Sequence, residues 1–163
     1  MTGELQLMKV EYINPFIDST KKLMEIMVGI QQFEKKGITV ETKLASMFDV
    51  SAVIGVTGDC TGAIVLSFSE GVAQEMLSRL LGEPIVDFND DVCDAVGEMV
   101  NIITGNAQAQ LQESGMNNLN RAVPTVVVGK GQAIRVAPST PCINVEFSTE
   151  LGGFALQVCL RFS

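Results

Sequence analysis

The chain has 163 residues, 47% hydrophobic and 18% charged, with 19 acidic and 11 basic side chains and a net charge of −8. That length suits one domain with a full core, and the balance is that of a globular chain, not a disordered one. The acidic excess, without a cluster of Lys and Arg, argues against nucleic acid, and the lack of histidine removes the common zinc patterns and histidine-dependent triads.

Residues 1–12 carry acidic side chains and no continuous apolar run, so they do not read as a signal peptide. No stretch approaches the roughly 18–20 apolar residues of a membrane span, and no membrane insertion is expected. Asn14 and Pro15 suit the N-cap and first position of a helix whose buried stripe is Phe16, Ile17, Leu23, Met24 and Met27, ending at Gly29. Three strands are expected next. Ile38 to Leu44 alternates, with Ile38, Val40, Thr42 and Leu44 on one side. Val50 to Thr57 and Ala63 to Phe68 flank a hairpin connection, Gly58 to Gly62, which lacks the Lys-Ser/Thr of a P-loop.

Ser69 introduces a second helix with Val72, Ala73, Met76, Leu77, Leu80 and Leu81 on its apolar side, stopped by Gly82 and Pro84. A third helix is expected from Asp90, capped by residues 89–91, with Gly115 just past its end. The polar run Met116 to Arg121 reads as a loop. Val123 to Val128 reads as a strand with Pro124 at an edge or strand start, followed by a turn at Gly129-Lys130-Gly131. Cys142 to Ser148 and Phe154 to Phe162 form a terminal hairpin across Glu150 to Gly153. Cys60, Cys93, Cys142 and Cys159 form no C-x-x-C pair and read as buried reduced thiols of a cytoplasmic protein. The order α-βββ-αα-βββ predicts a single α+β domain over residues 1–163, mainly antiparallel, with helices packed on the sheet.

The third helix is the unusual element. Val92, Val96, Met99, Val100, Ile103, Ala107 and Leu111 gather on one side at helical spacing. Asp94, Gly97, Glu98, Asn101, Gly105, Gln108 and Gln112 gather on the other. Two interior glycines each cost roughly 0.8–1 kcal/mol of helix propensity relative to Ala, and a purely solvated face would more typically carry Lys, Glu and Gln. The glycines leave a low-relief strip against which another backbone could lie, from a partner or from within the fold. Glu98 and Asn101, three apart, have Cβ atoms roughly 5–6 Å apart and can address one partner together. From spacing alone, a solvated or interdomain helix face is the reading to prefer, with the glycines then explained by close packing within the fold.

Asp94, Glu98 four positions on, Asn101 three further and Pro124 at a distance of 23 fit a longer pattern. In that spacing, within Gly97-Glu98-Met99-Val100-Asn101, and in the opening Tyr12-Ile13-Asn14-Pro15-Phe16, the chain resembles the CheX branch of the CheC/CheX/FliY response-regulator phosphatases. The helix at 69–81 has no Glu-x-x-Asn, which favours the single-site CheX type over CheC. The resemblance implies removal of phosphate from a phosphorylated CheY-type response regulator in chemotaxis. It implies that Asn101 orients the attacking water and that Glu98 pairs with the regulator's lysine. Asp94, Gly97, Gly105 and Gln108 would belong to the docking face, and Pro124 would shape the fold. No metal or cofactor is expected on this chain itself, Mg2+ being supplied by the regulator, and a homodimer formed largely through the sheet is implied. The alternative is a non-catalytic docking module of the same fold, which binds a response regulator or a flagellar switch component.

Overall fold

Val50, Ala52, Ile54 and Val56 alternate with Ser51, Val53, Gly55 and Thr57, and a strand's pleat sends the first set to one face. All four are buried. They lie on strand β3 (Val50–Gly58), which pairs antiparallel with β4 (Cys60–Phe68), setting Ile54 opposite Ile64 and Ala52 opposite Leu66. The expected hairpin is present, with a tighter turn at Asp59. The computed structural model describes residues 10–41, 44, 45, 48–131, 133, 134, 137 and 139–162.

β9 (Gly152–Phe162) runs beside β4, and β8 (Cys142–Thr149) forms the terminal hairpin with β9. β1 (Phe33–Glu41) closes one flank against β8. On the other flank, β5 (Leu119–Arg121) and β6 (Thr125–Val128) share the edge of β3. The sheet order is therefore β1-β8-β9-β4-β3-β5, with β6 also beside β3, and every pairing is antiparallel. Two short strands, β2 (Leu44–Ala45) and β7 (Ala133–Ile134), pair separately.

Among the described residues three α-helices, α1 (Val10–Lys22), α2 (Glu70–Leu81) and α3 (Asp90–Glu113), supply the other layer. Val92, Val96, Met99, Val100, Ile103, Ala107 and Leu111 of α3 are all buried, in one core with the inner residues of β3, β4, β8 and β9. Phe68, Phe147 and Phe154 stack at its centre, with ring centroids about 5 Å apart. No helix among the described residues is long and apolar enough to cross a membrane. The architecture is the expected α+β fold.

Several local expectations are corrected. Asn14 is not an N-cap, because the chain is already helical at Val10 and Pro15 lies inside α1. There Pro15 removes one hydrogen bond, to the carbonyl a turn earlier, close to the helix start. α1 continues as a π-helical turn, Leu23–Val28, which ends at Gly29 in left-handed backbone. The wider turn shifts the periodicity, so that Leu23, Met24 and Val28 are buried while Met27 is half exposed. Leu81, at the end of α2, is also exposed. β1 starts earlier than expected and ends at Glu41, with Ile38 and Val40 exposed; Thr42 lies outside the described residues. The run 116–121, read as a loop, contains β5, and β2 and β7 add further short strands. Cys142 and Cys159 oppose each other across β8 and β9 with Cα atoms 4.1 Å apart, and their sulfurs are paired. Only Cys60 and Cys93 are free thiols.

Candidate functional site

α3 is started by Asn89, whose Oδ1 accepts from the Val92 N–H at 3.2 Å, and Asp90 and Asp91 sit favourably against the positive end of the helix. At its other end the chain turns at Gly115, and the Met116 N–H returns to the Leu111 carbonyl at 3.0 Å. The buried stripe fixes the helix's rotation, so the polar stripe must face away from β3 and β4. It does not face open solvent throughout. The segment carrying β5 and β6 runs back along it.

The two helical glycines mark where that segment touches. A Cβ at Gly97 would stand 3.2 Å from Val126 Cγ2 and 3.9 Å from Pro124 Cβ. A Cβ at Gly105 would stand 2.9 Å from Arg121 Nη1. Gln108 Nε2 donates to the Leu119 carbonyl at 2.8 Å. Three of the candidate docking residues, Gly97, Gly105 and Gln108, thus hold the chain's own return segment. The low-relief strip exists, and the backbone lying against it belongs to the fold.

Between α3 and this segment an open groove remains, lined by Glu98, Asn101, Arg121, Val123 and Pro124 among others. Glu98 is exposed and forms no ion pair among the described residues. Asn101 is half-buried, and both its oxygens accept from Arg121 Nη1, the backbone carbonyl at 3.0 Å and Oδ1 at 2.8 Å. Pro124 follows β5 and precedes β6, at the groove's far wall, which fits an edge position for a residue without an N–H. Asp94 is exposed one turn before Glu98, outside the groove's lining.

Arg121 is the site residue that sequence reasoning missed. The one signal available was Gly105, a helix-interior glycine that implied a close neighbour without naming it. Cys93, half-exposed on α3, has its thiol pKa raised, first by burial and then by Asp90, Asp94 and Glu70. Among the described residues no group of three or more Cys, Asp or Glu side chains is arranged to hold a metal ion.

Chemically, the groove brings together an exposed carboxylate and a neutral carboxamide from α3 with a guanidinium from the return segment. The carboxamide can donate and accept while staying uncharged, and the carboxylate is an anchor for a cation. Neither group is a strong nucleophile. The arrangement is suited to binding and orienting, with the attacking species brought from outside.

Comparison with known proteins gives the lineage. Residues 50–148, more than half of the chain, match the family described as chemotaxis phosphatase CheX. The CheY-P phosphatase CheX of Thermotoga maritima is 27% identical over 129 residues, 78% of this chain and 82% of that protein. The crystal structure of a CheX from Desulfovibrio desulfuricans superposes with a TM-score of 0.83 at 36% identity, covering 93% of this chain and all of that one. A CheX–CheY–BeF3–Mg2+ complex from Borrelia burgdorferi shares the fold, with a TM-score of 0.80 at 23% identity, covering 94% of this chain and 99% of that one. With residues 50–148 matching the family's model and α3 packed on an antiparallel sheet, this chain belongs to the CheX family.

Proposed function

We propose that this chain hydrolyses the aspartyl phosphate of a phosphorylated CheY-type response regulator, with Asn101 orienting the attacking water and Glu98 engaging the regulator's lysine. The observation that carries the reading is the pair itself. Glu98 and Asn101 lie one turn apart on α3 and line the same open groove, with Glu98 exposed and in no ion pair among the described residues. A partner's active-site edge can reach both.

An aspartyl phosphate is an acyl phosphate, whose carboxylate leaving group needs little protonation. Hydrolysis then requires a water held in line and charge stabilisation around the moving phosphoryl group. Asn101 meets the first need without the repulsion that a second carboxylate would exert on the phosphoryl oxygens. Glu98 supplies an ion pair that sets the helix in register on the regulator. Mg2+ is assigned to the regulator; the B. burgdorferi relative was solved together with CheY, BeF3 and Mg2+. Asp94 extends the docking face from one turn earlier. The protein is read as a cytoplasmic homodimer, a second copy covering exposed sheet surface such as Ile38 and Val40 of β1.

The second reading is a docking module that holds a regulator or a flagellar switch component without turnover. The hydrogen bond that already occupies one side of the Asn101 carboxamide oxygen is the observation in its favour.

Steady-state phosphate release from a CheY-type regulator, supplied with acetyl phosphate and Mg2+, separates the two. Acceleration by the intact protein and not by Asn101→Ala, with binding retained, supports the phosphatase. Acceleration kept by Asn101→Ala moves the chemistry elsewhere, and binding without acceleration makes the chain a docking module.

A further inference from the structure

We propose that Arg121 is a positioning residue for this reaction, one that locks the Asn101 carboxamide into a single orientation. The inference rests on the phosphatase reading of Asn101. Arg121 closes β5 opposite Val56 of β3, so the sheet fixes its backbone. Its side chain crosses to α3 and donates from one nitrogen to both Asn101 oxygens, at 3.0 Å and 2.8 Å. A guanidinium has donors only. The Asn101 amide can face it with Oδ1 and not with Nδ2, because the flipped amide would set N–H against N–H. One of the two orientations open to a carboxamide is thereby removed, and the bond is charge-assisted.

Gly105 is the seat of this device. An ideal Cβ there would lie 2.9 Å from Nη1, 3.2 Å from Cζ and 3.4 Å from Nη2 of Arg121. The guanidinium therefore occupies the space that a side chain at 105 would fill, which accounts for a glycine at a helix-interior position where it lowers propensity. With Oδ1 turned to Arg121, the Nδ2 hydrogens and the second oxygen lone pair are left for a water in the groove. Arg121 then acts through Asn101. Its loss frees the amide to rotate and lowers turnover, while association, carried by Glu98, is kept.

The test is regulator-dependent phosphate release by the intact protein, Asn101→Ala, Arg121→Ala, Arg121→Lys and Gly105→Ala, each with a thermal melt and an NMR record of the Asn101 side-chain amide. Arg121→Ala is expected to lower kcat about tenfold to a hundredfold with KM unchanged. Arg121→Lys keeps the charge but not the planar fork and does not restore kcat. Gly105→Ala trades gained helix propensity against the lost Arg121 bonds, so its melt stays near the parent's, while turnover falls because its methyl displaces the guanidinium; a merely structural role would leave turnover as unchanged as the melt. A kcat within about twofold of the intact protein in Arg121→Ala, or a loss confined to KM, overturns the proposal. If the intact protein gives no acceleration, or Asn101→Ala matches it, the phosphatase reading fails separately. The positioning claim is then decided by the Asn101 amide protons: a shift towards free-asparagine values in Arg121→Ala supports it, and unchanged signals overturn it.

Discussion

Gly97 lies directly beneath Val126, so near that a Cβ at 97 would stand 3.2 Å from Val126 Cγ2. The contact holds β6 against α3 one position before Glu98. Gly97→Leu therefore forces the strand off the helix. We expect a loss of about 1–3 kcal/mol from overpacking, read as a lower denaturant midpoint with an unchanged slope. Unaltered stability would show that the return segment is not seated there.

Glu98 tests the division of labour within the groove. Its carboxylate is exposed and forms no ion pair among the described residues, so Glu98→Gln leaves no unsatisfied partner within the fold. Stability should stay within about 0.5 kcal/mol of the parent. In the proposed reaction the variant weakens binding to a beryllofluoride-activated regulator by about tenfold or more, measured by calorimetric titration, and approaches parental kcat at saturation. Normal binding with turnover lost would assign Glu98 to the chemistry instead.

Glu150 ties the end of the π-helical turn to the β8–β9 turn. Its carboxylate accepts from the Gln32 N–H at 2.9 Å, from the Gln31 N–H at 3.1 Å and from Arg79 Nη1 at 3.1 Å. The Gln32 bond foremost, with help from Gln31 and Arg79 and against the opposing effect of burial, lowers its pKa from 4.5 to about 2. A depressed carboxyl pKa adds stability that is fully present above the unfolded value and lost as pH falls through the folded one. The advantage of the parent over Glu150→Gln should thus be full at pH 7 and decline between about pH 4.5 and 2. Chemical unfolding of both proteins across that range measures it; a constant gap would remove the ionised carboxylate from the explanation.

The two free thiols should differ in alkylation. Cys60 is buried, and burial, with Asp59 adding to it, pushes its pKa up to about 11. Cys93 is half-exposed with a raised pKa. At pH 8, iodoacetamide followed by peptide mass analysis should label Cys93 slowly and Cys60 only after unfolding. Rapid labelling of Cys60 in the native protein would contradict its placement in the core.

What could be read from the residues follows from where the determining interactions lie along the chain. The seven apolar residues of α3 were legible because helical spacing alone brings them together, and all seven are buried. Glu98 and Asn101 were legible as neighbours for the same reason. β5 was not, since three residues, Leu119, Asn120 and Arg121, of which only Leu119 is buried, show no alternation to detect. The π-helical turn was also hidden, because a period of 3.6 assigns Met27 to the core where the wider turn assigns Val28. Arg121 was invisible as a site residue because its partner is 20 positions away and reached through a sheet register that no local pattern encodes.

The groove from Glu98 to Pro124 is formed by one uninterrupted stretch of chain, the latter part of α3 and the segment that folds back over it. Most active sites gather residues from several distant parts of a fold and so bind its whole architecture into one inheritance. Here the rest of the sheet serves as a chassis. Its far strands, β1 and β8, contribute no residue to the groove's lining. In the proposed reaction, such a layout lets the one helix that meets the regulator be retained while the body that carries it is adapted to new assemblies.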